Sequence, residues 1–334
     1  MSAIRLGTRA STLATTQSEM VAGLLRSEGL DVDLTTITTH GDTSTASLAA
    51  MGGIGVFASA IRATLLKGEA DIAVHSFKDL PTGRPLGLAI GAVPARADPR
   101  DALVARDGLT LHDLPQEASV GTGSPRRAAQ LLAVRPDLTI VDIRGNVDTR
   151  LGRVKGLGHY AKGGGKEDLD AVVLAASGLA RLGHSGTVTE FLDPSVVLPA
   201  PAQGALAVEC RTADSRHGKL AKALARIDDR RTRLAATAER AVLSHLEAGC
   251  AAPIGALAQL KPVSGSSPQV LTLDVVVATV DGSRIIREQV SVELPAEVDS
   301  ALAAAHTLGV TAAEELLDDG AADVADLKAS GSTR

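Results

Sequence analysis

Aromatic residues are almost absent from this 334-residue chain, which has three phenylalanines, one tyrosine and no tryptophan. Single-stranded nucleic acid is held by stacking bases on aromatic faces, so the composition excludes such a platform. The net charge of −5 supplies no general pull on phosphates either. Two cysteines, Cys210 and Cys250, cannot build a disulfide framework, and a reducing cytoplasm is the expected compartment. The opening "MSAIRLGTRAST" has no apolar signal stretch, and the longest apolar run, "VLTLDVVVATV", is broken by Asp274. Neither secretion nor a membrane span is therefore expected. No histidine or cysteine group has metal-ligand spacing, so no metal is expected. "GGIGVF" (52–57) lacks the lysine–serine pair of a phosphate-binding loop, so no nucleotide is expected.

What is present is an ordinary globular composition, 45% hydrophobic and 22% charged, on a chain long enough for two or three domains. Strand-like and helix-like segments alternate up to about residue 210, which argues for open α/β layers. The expected strands are Ile4–Gly7, Val32–Thr38, Asp71–His75, Leu86–Val93, Ala102–Ala105, Leu138–Ile143, Ala171–Ala175 and Ala205–Cys210. Helices are expected over Ser11–Ser27, Phe57–Lys67, Pro125–Val134, Val147–Gly156 and two segments between Ser215 and Leu246. Two proline-bearing crossings, 93–102 and 192–204, lie about one small domain apart, as they would in a chain that leaves a domain and later returns. The last third changes texture. A hairpin around Asp281-Gly282 and an alanine-rich amphipathic helix predict a small α+β unit, with a disordered tail after Leu327.

The cations are placed where a ligand would need them. "GTRAST" (7–12), "HSFKD" (75–79), "GTGSPRR" (121–127) and "IRGNVDTR" (143–150) follow expected strands, and open α/β sheets bind ligands at the carboxyl ends of their strands. Ser124 is a good N-cap and Pro125 a good first helical residue, so Arg126 and Arg127 fall in a first turn. Cations there work against the helix dipole unless an anion joins them. Lys78 and Asp79, at the end of the strand "ADIAVH", read from the residues alone as either a turn before Pro81 or a cation and a carboxylate aimed at something. His75 reads as a structural strand-end residue bonded to backbone and Cys210 as buried and inert, while Cys250 is a loop thiol open to chemistry that spacing alone would still assign no chemical role.

"AVHSFKDLP", "VGTGSPRR", "DIRGNVDTRL", "LAASGLARLG", "LPAPAQGALAVEC" and "LEAGCAAPIG", in this order, closely resemble the porphobilinogen deaminase (hydroxymethylbilane synthase) family over nearly the whole chain. The resemblance implies two periplasmic-binding-protein-like α/β domains, the first discontinuous (1–95 with 199–216, and 98–194), plus a small α+β domain (219–327). It implies a cytoplasmic, monomeric transferase of tetrapyrrole biosynthesis that joins four porphobilinogen molecules head to tail with loss of ammonia. A dipyrromethane cofactor would be held as a thioether on Cys250, with no metal, nucleotide, nucleic acid or membrane involved. Carried over residue by residue, Asp79 would be the catalytic carboxylate, opposing the positive charge that develops on the reacting pyrroles. Lys78, Ser76, Thr122, Ser124, Arg126, Arg127 and Arg150 would hold the cofactor's acid groups. Arg9, Ser11, Arg144, Arg150 and Arg181 would hold the substrate, and Phe57 would serve as a lid or stacking residue. Ile54 stands where many relatives carry lysine. Two other readings compete with this one: a non-catalytic anion-binding protein with the same cleft, and an enzyme of phosphorylated metabolites.

Overall fold

The computed structural model describes residues 3–37, 56–83, 85–248, 252–261, 269–325 and 327. Its strands form two five-stranded sheets and one three-stranded sheet.

The first sheet grows from β1 (Ile4–Thr8), α1 (Thr12–Ser27), β2 (Val32–Thr36), α2 (Val56–Leu66), β3 (Ile72–Ser76) and β4 (Leu88–Ala92). β1 pairs parallel with both β2 and β3, as strands joined through helices must. Leu6, Ile72 and Val74 are buried with Val21 and Leu25 of α1 on one face. Ala73 packs with Ile61 and Leu65 of α2 on the other. A strand covered on both faces reads as a continuous apolar run, which is why "DIAV" was legible.

The second sheet holds β5 (Asp101–Ala105), β6 (Ser119–Gly121), α3 (Pro125–Val134), β7 (Thr139–Val141), α4 (Val147–Leu151), β8 (Ala171–Ala175), α5 (Ala176–Arg181) and β9 (Glu190–Phe191). β6 and β9 were not expected, at three and two residues too short to show a period. The helix expected to run to Gly156 stops at Leu151, where Gly152 packs against Ala161.

The chain then returns through residues 192–205 to β10 (Leu206–Arg211), which lies inside the first sheet in the order β2-β1-β3-β10-β4. The second sheet has the matching order β7-β6-β8-β5-β9. Each crossing therefore delivers one antiparallel strand into a sheet whose neighbouring strands run the other way. β10 begins with Leu206 beside Ser76, the last residue of β3. β5 begins with Asp101 beside Ala175, the last residue of β8. Antiparallel entry thus brings both crossings to the carboxyl ends of the central strands, the ends at which α/β sheets bind ligands.

The remainder comprises α6 (Gly218–Ile227), which packs on β4, then α7 (Arg230–His245), β11 (Ile254–Leu260), β12 (Val270–Ala278), β13 (Ile285–Glu293), α8 (Val298–Asp318) and the short α9 (Ala321–Val324). β11–β13 form an antiparallel meander with α7 and α8 against one face, burying Leu234, Val242, Leu271, Leu273, Leu308 and Leu316. The expected α/β pair with a discontinuous first member and a small α+β third unit is the fold observed. A buried ion pair ties the third unit to the first crossing. Glu239 of α7, fully buried, accepts from Arg96 (2.6 and 3.0 Å) and from the backbone N–H groups of Ala202 (2.5 Å) and Ala258 (2.8 Å). Four donors on one carboxylate satisfy the requirement that a buried charge be paired and hydrogen-bonded.

Candidate active site

β3 ends at Ser76, and the next three residues, Phe77–Asp79, make one 3₁₀ turn. Three contacts set its course. The Phe77 N–H donates to the Ala205 carbonyl (3.0 Å), the side chains of Phe77 and Leu80 are buried, and Pro81 stops the turn. Arg240 of α7 then reaches in from the third unit. Its guanidinium lies 4.4 Å from the Phe77 ring centroid and donates to the carbonyls of Phe77 (3.0 Å), Leu80 (2.7 Å) and Pro81 (2.7 Å). A planar donor fork stacked on an aromatic ring is a contact that lysine could not make. Burial lowers the Arg240 pKa to about 10. The turn is thereby clamped on one side, and Lys78 and Asp79 project from the other.

They line a cavity of about 170 Å³ together with Ser124, Arg126, Arg127 and Gln203, and with Leu243, Ala252 and Ile254 of the third unit. Asp79 is exposed, whereas Lys78 is half-buried and donates to Gln203 Oε1 at 3.2 Å. Burial is the main force on Lys78, bringing its pKa down to about 8. Arg127 and Arg126 push the same way, against Asp79 and Asp101.

Arg126 and Arg127 do sit in the first turn of α3, but they are not two free cations waiting for a ligand. Both are buried on Asp101, the first residue of β5. Arg127 donates to Asp101 Oδ1 through Nη2 (2.6 Å) and Nε (3.0 Å), and to the Val173 carbonyl through Nη1 (3.0 Å). Arg126 Nη1 lies 2.8 Å from Asp101 Oδ2 and 2.6 Å from the Leu198 carbonyl. Burial opposes ionisation of Asp101, yet the two guanidiniums outweigh it and hold the carboxyl well below the usual range. Part of the anion that the arginine pair calls for is thus built into the chain. Two cations on one carboxylate leave a net positive charge, and among the described residues the Arg126 guanidinium makes its ion pair with Asp101 and its hydrogen bond to Leu198 through Nη1.

Ser124 occupies the N-cap position of α3, but its side chain caps no backbone N–H, contrary to expectation. Thr122 takes a bond locally, its buried Oγ1 accepting from the Ser124 N–H at 3.2 Å. The Ser124 hydroxyl therefore faces the cavity without a capping task. Arg150 donates to the Gly145 carbonyl (2.9 Å), and burial together with the nearby charges of Arg127 and Arg144 depresses its pKa.

The other described residues expected at the site are not among those that line that cavity. Ser76 exchanges hydrogen bonds with Gln17 of α1 (2.9 and 3.1 Å). Ser11 is the N-cap of α1, accepting from Ala14 N–H at 3.3 Å, and Arg9 is half-buried just before it. Arg144 pairs with Asp142 at the surface (3.2 Å). Arg181 donates through Nη2 to the Gly204 carbonyl (2.7 Å), while its buried Nε has no partner among the described residues and burial lowers its pKa. Phe57 lies in α2, with its side chain outside the described part. Cys250, Ile54 and the loop at 41–55 lie outside the described residues. His75 Nε2 lies 3.3 Å from the carboxylate of Glu209 of β10 without hydrogen-bond geometry, and Arg62 binds the same carboxylate (3.0 Å). Cys210 is fully buried, and burial pushes its thiol up to about 11, as an inert core cysteine requires.

A larger cavity, about 860 Å³, lies across the Phe77–Leu80 turn and is lined by Arg62, Glu209, Arg233 and Arg240 among others. Its cations are satisfied internally, by Glu209, Asp228 and the turn carbonyls respectively. Among the described residues no helix is long and apolar enough to cross a membrane, and no cluster of three histidine, cysteine or acidic residues could hold a metal.

Sequence reading missed Asp101, Gln203 and Arg240. Asp101 stands in "DPRDA" and Gln203 in "PAPAQG", both at crossings. A lone acid or amide there gives no periodic signal, and only the antiparallel entry of β5 and β10 aims them inward.

A two-walled α/β cleft lined by a lysine, a carboxylate and paired arginines, with a third unit closing the cavity, has the composition of a site for acid-bearing ligands. The comparisons specify which. Residues 4–219 match the family model "Porphobilinogen deaminase, dipyromethane cofactor binding domain", and residues 233–318 match "Porphobilinogen deaminase, C-terminal domain". A porphobilinogen deaminase of Cutibacterium acnes is 96% identical over the full length of both chains. Those of Micrococcus luteus and Leifsonia xyli are 51% and 52% identical, covering 96% and 98% of this chain and 94% and 95% of theirs. The chain belongs to the porphobilinogen deaminase family, enzymes that make hydroxymethylbilane. Among solved structures, apo YehZ of Escherichia coli is 13% identical with a TM-score of 0.41, covering 68% of this chain and 86% of that one, too distant to carry an argument.

Proposed function

We propose that the enzyme elongates a dipyrromethane held as a thioether on Cys250, with Asp79 as the catalytic carboxylate and the cations of the cleft holding the acid side chains of cofactor and substrate. The observation that carries this reading is the composition of the 170 Å³ cavity. Ala252 and Ile254, just beyond Cys250 in the chain, line it together with Lys78, Asp79, Ser124, Arg126 and Arg127. Each pyrrole unit bears two carboxylates, and lysine, serine and arginine donors are the chemistry that suits them, so the residues fit the group. Bound there, the dipyrromethane supplies the electron-rich pyrrole that accepts the next unit.

The chain's residues divide the remaining work by charge. Asp79 would stabilise the positive charge that develops when the substrate loses ammonia, and its carboxylate could hold the proton exchanged there. Lys78, Ser76, Thr122, Ser124, Arg126, Arg127 and Arg150 hold the cofactor's acids. Arg9, Ser11, Arg144, Arg150 and Arg181 orient the incoming substrate, and Phe57 covers it. These reactants need no metal or nucleotide, and the family likeness supports a cytoplasmic monomer.

Intact-mass measurement tests the attachment. The wild-type chain should exceed its sequence mass by two pyrrole units, Cys210→Ser should keep that mass and activity, and Cys250→Ser should lose both while remaining folded. A thiolate attacks the electrophilic carbon far better than an alcohol does. Normal adduct mass and turnover in Cys250→Ser would overturn the reading.

A further inference from the structure

Gln203 is fully buried on the return crossing, and its side-chain amide touches groups from both walls of the cleft. Its Oε1 accepts from the Lys78 ammonium at 3.2 Å, on the turn after β3 of the first sheet. Its Nε2 donates to Asp101 Oδ1 and to the Pro99 carbonyl, both at 2.8 Å, at the head of β5 in the second sheet. Asp101 in turn holds Arg126 and Arg127. The amide cannot be reversed. Turned over, it would set NH₂ against an ammonium and oxygen against a carboxylate and a carbonyl, three repulsive contacts in place of three bonds. Both amide hydrogens are used, and a buried network is stable only when every member is satisfied.

We infer that Gln203 is a positioning residue for the reaction: it fixes the Lys78 ammonium in the cavity by linking it to the Asp101–arginine cluster, so that the two walls present their charges as one unit. This rests on the reading that Lys78 holds a cofactor carboxylate. Lys78 is buried enough that its charged form is precarious, and a hydrogen bond to that form favours it. Without the amide oxygen the lysine would be neutral over more of the working pH range and free to leave the cavity.

Gln203→Glu gives the discriminating test, through its proton. A protonated carboxyl can reproduce two of the three contacts, its C=O accepting from Lys78 and its O–H donating to Asp101. An ionised one would face Asp101 as a like charge. Asp101 beside the introduced carboxyl favours its protonated form, whereas the Lys78 ammonium on its other oxygen and the paired arginines favour its ionised form, so the substitution places a titrating group where the wild type has none. Gln203→Glu should therefore be most active where that carboxyl keeps its proton and lose activity as it ionises with rising pH, on a limb that the wild type lacks. Gln203→Met, of similar volume but without hydrogen bonds, should lose about tenfold or more in turnover at all pH values, with KM little changed.

A second readout needs no activity. Trace acetylation of the holoenzyme with acetic anhydride, followed at the Lys78 peptide across pH, should show the Lys78 midpoint lower in Gln203→Met than in the wild type. If that midpoint falls while pyrrole content and turnover stay normal, Gln203 still holds Lys78 and the cofactor role of Lys78 is wrong. An unmoved midpoint with a Gln203→Glu pH profile parallel to the wild type overturns the inference.

Discussion

The Arg127 guanidinium donates twice to one oxygen of Asp101, at 2.6 and 3.0 Å, across the seam where the first crossing enters the second sheet. The expected helix-terminal cation is thus already half-answered by the protein's own carboxylate. The positive character of the cleft is the surplus left after that pairing, with Arg126 sharing the same aspartate.

Removing the shared carboxylate should be more damaging than removing either arginine. Asp101→Asn leaves two buried guanidiniums without a counter-charge, and breaking a buried pair by deleting one partner costs about 3–5 kcal/mol. The variant should melt well below the wild type and carry less covalent pyrrole by intact mass. Arg126→Leu or Arg127→Leu, which leaves Asp101 one partner, should lower pyrrole content with a smaller loss of melting temperature. An Asp101→Asn enzyme as stable as the wild type would mean that the pair is dispensable.

Asp79 separates electrostatics from packing. Asp79→Asn keeps shape and removes charge, so turnover should fall roughly 10²-fold or more, with a smaller fall in pyrrole content. Asp79→Glu should retain more activity than Asn. A turn-forming aspartate would give the reverse order, since asparagine substitutes well in turns. Single-turnover rates of both variants, each shown folded by thermal melt, decide between the two.

Lys78 predicts a pH signature in stability. Its folded pKa, about 8, lies below its ordinary value of 10.5, so between those values the unfolded chain binds more protons. Stability contributed by this group therefore rises with pH from about 8 to about 10.5 and is constant below 8. Relative to Lys78→Met, the wild type should gain melting temperature over that window and not below it. Parallel curves for the two proteins would mean that burial does not strain the lysine.

Glu239 tests how far the third unit depends on the crossing. Glu239→Gln removes the charge that binds Arg96 and replaces one acceptor with a donor facing backbone N–H groups, a loss of about 3 kcal/mol or more. Amide exchange should accelerate at Ala202 and Ala258 before it does in β1 or β3. Uniform acceleration over the chain would instead indicate one cooperative unit.

Local sequence determined much of this protein. Apolar runs such as Ile72–Val74 and Val172–Leu174 can only be doubly covered strands, the helix punctuation at Ser11 and Pro125 is local, and a lysine–aspartate pair at a strand end could be seen without a fold. The alternation of elements and the two proline-bearing crossings made a two-sheet α/β chain with a returning segment readable, because each follows from spacing along one stretch. Tertiary structure alone decided what the charged residues face. Asp101, Gln203 and Arg240 are far from Lys78 in the chain and carry no periodic signal. Gln203 meets it, Asp101 joins it through Gln203 and Arg240 clamps its turn, because β5 and β10 enter antiparallel beside the ends of β8 and β3 and α7 folds back over the turn. Sequence spacing gives a residue's neighbours along an element. Which counter-charge it meets, and so whether an arginine is a free ligand or half of a buried pair, is set by contacts between distant segments.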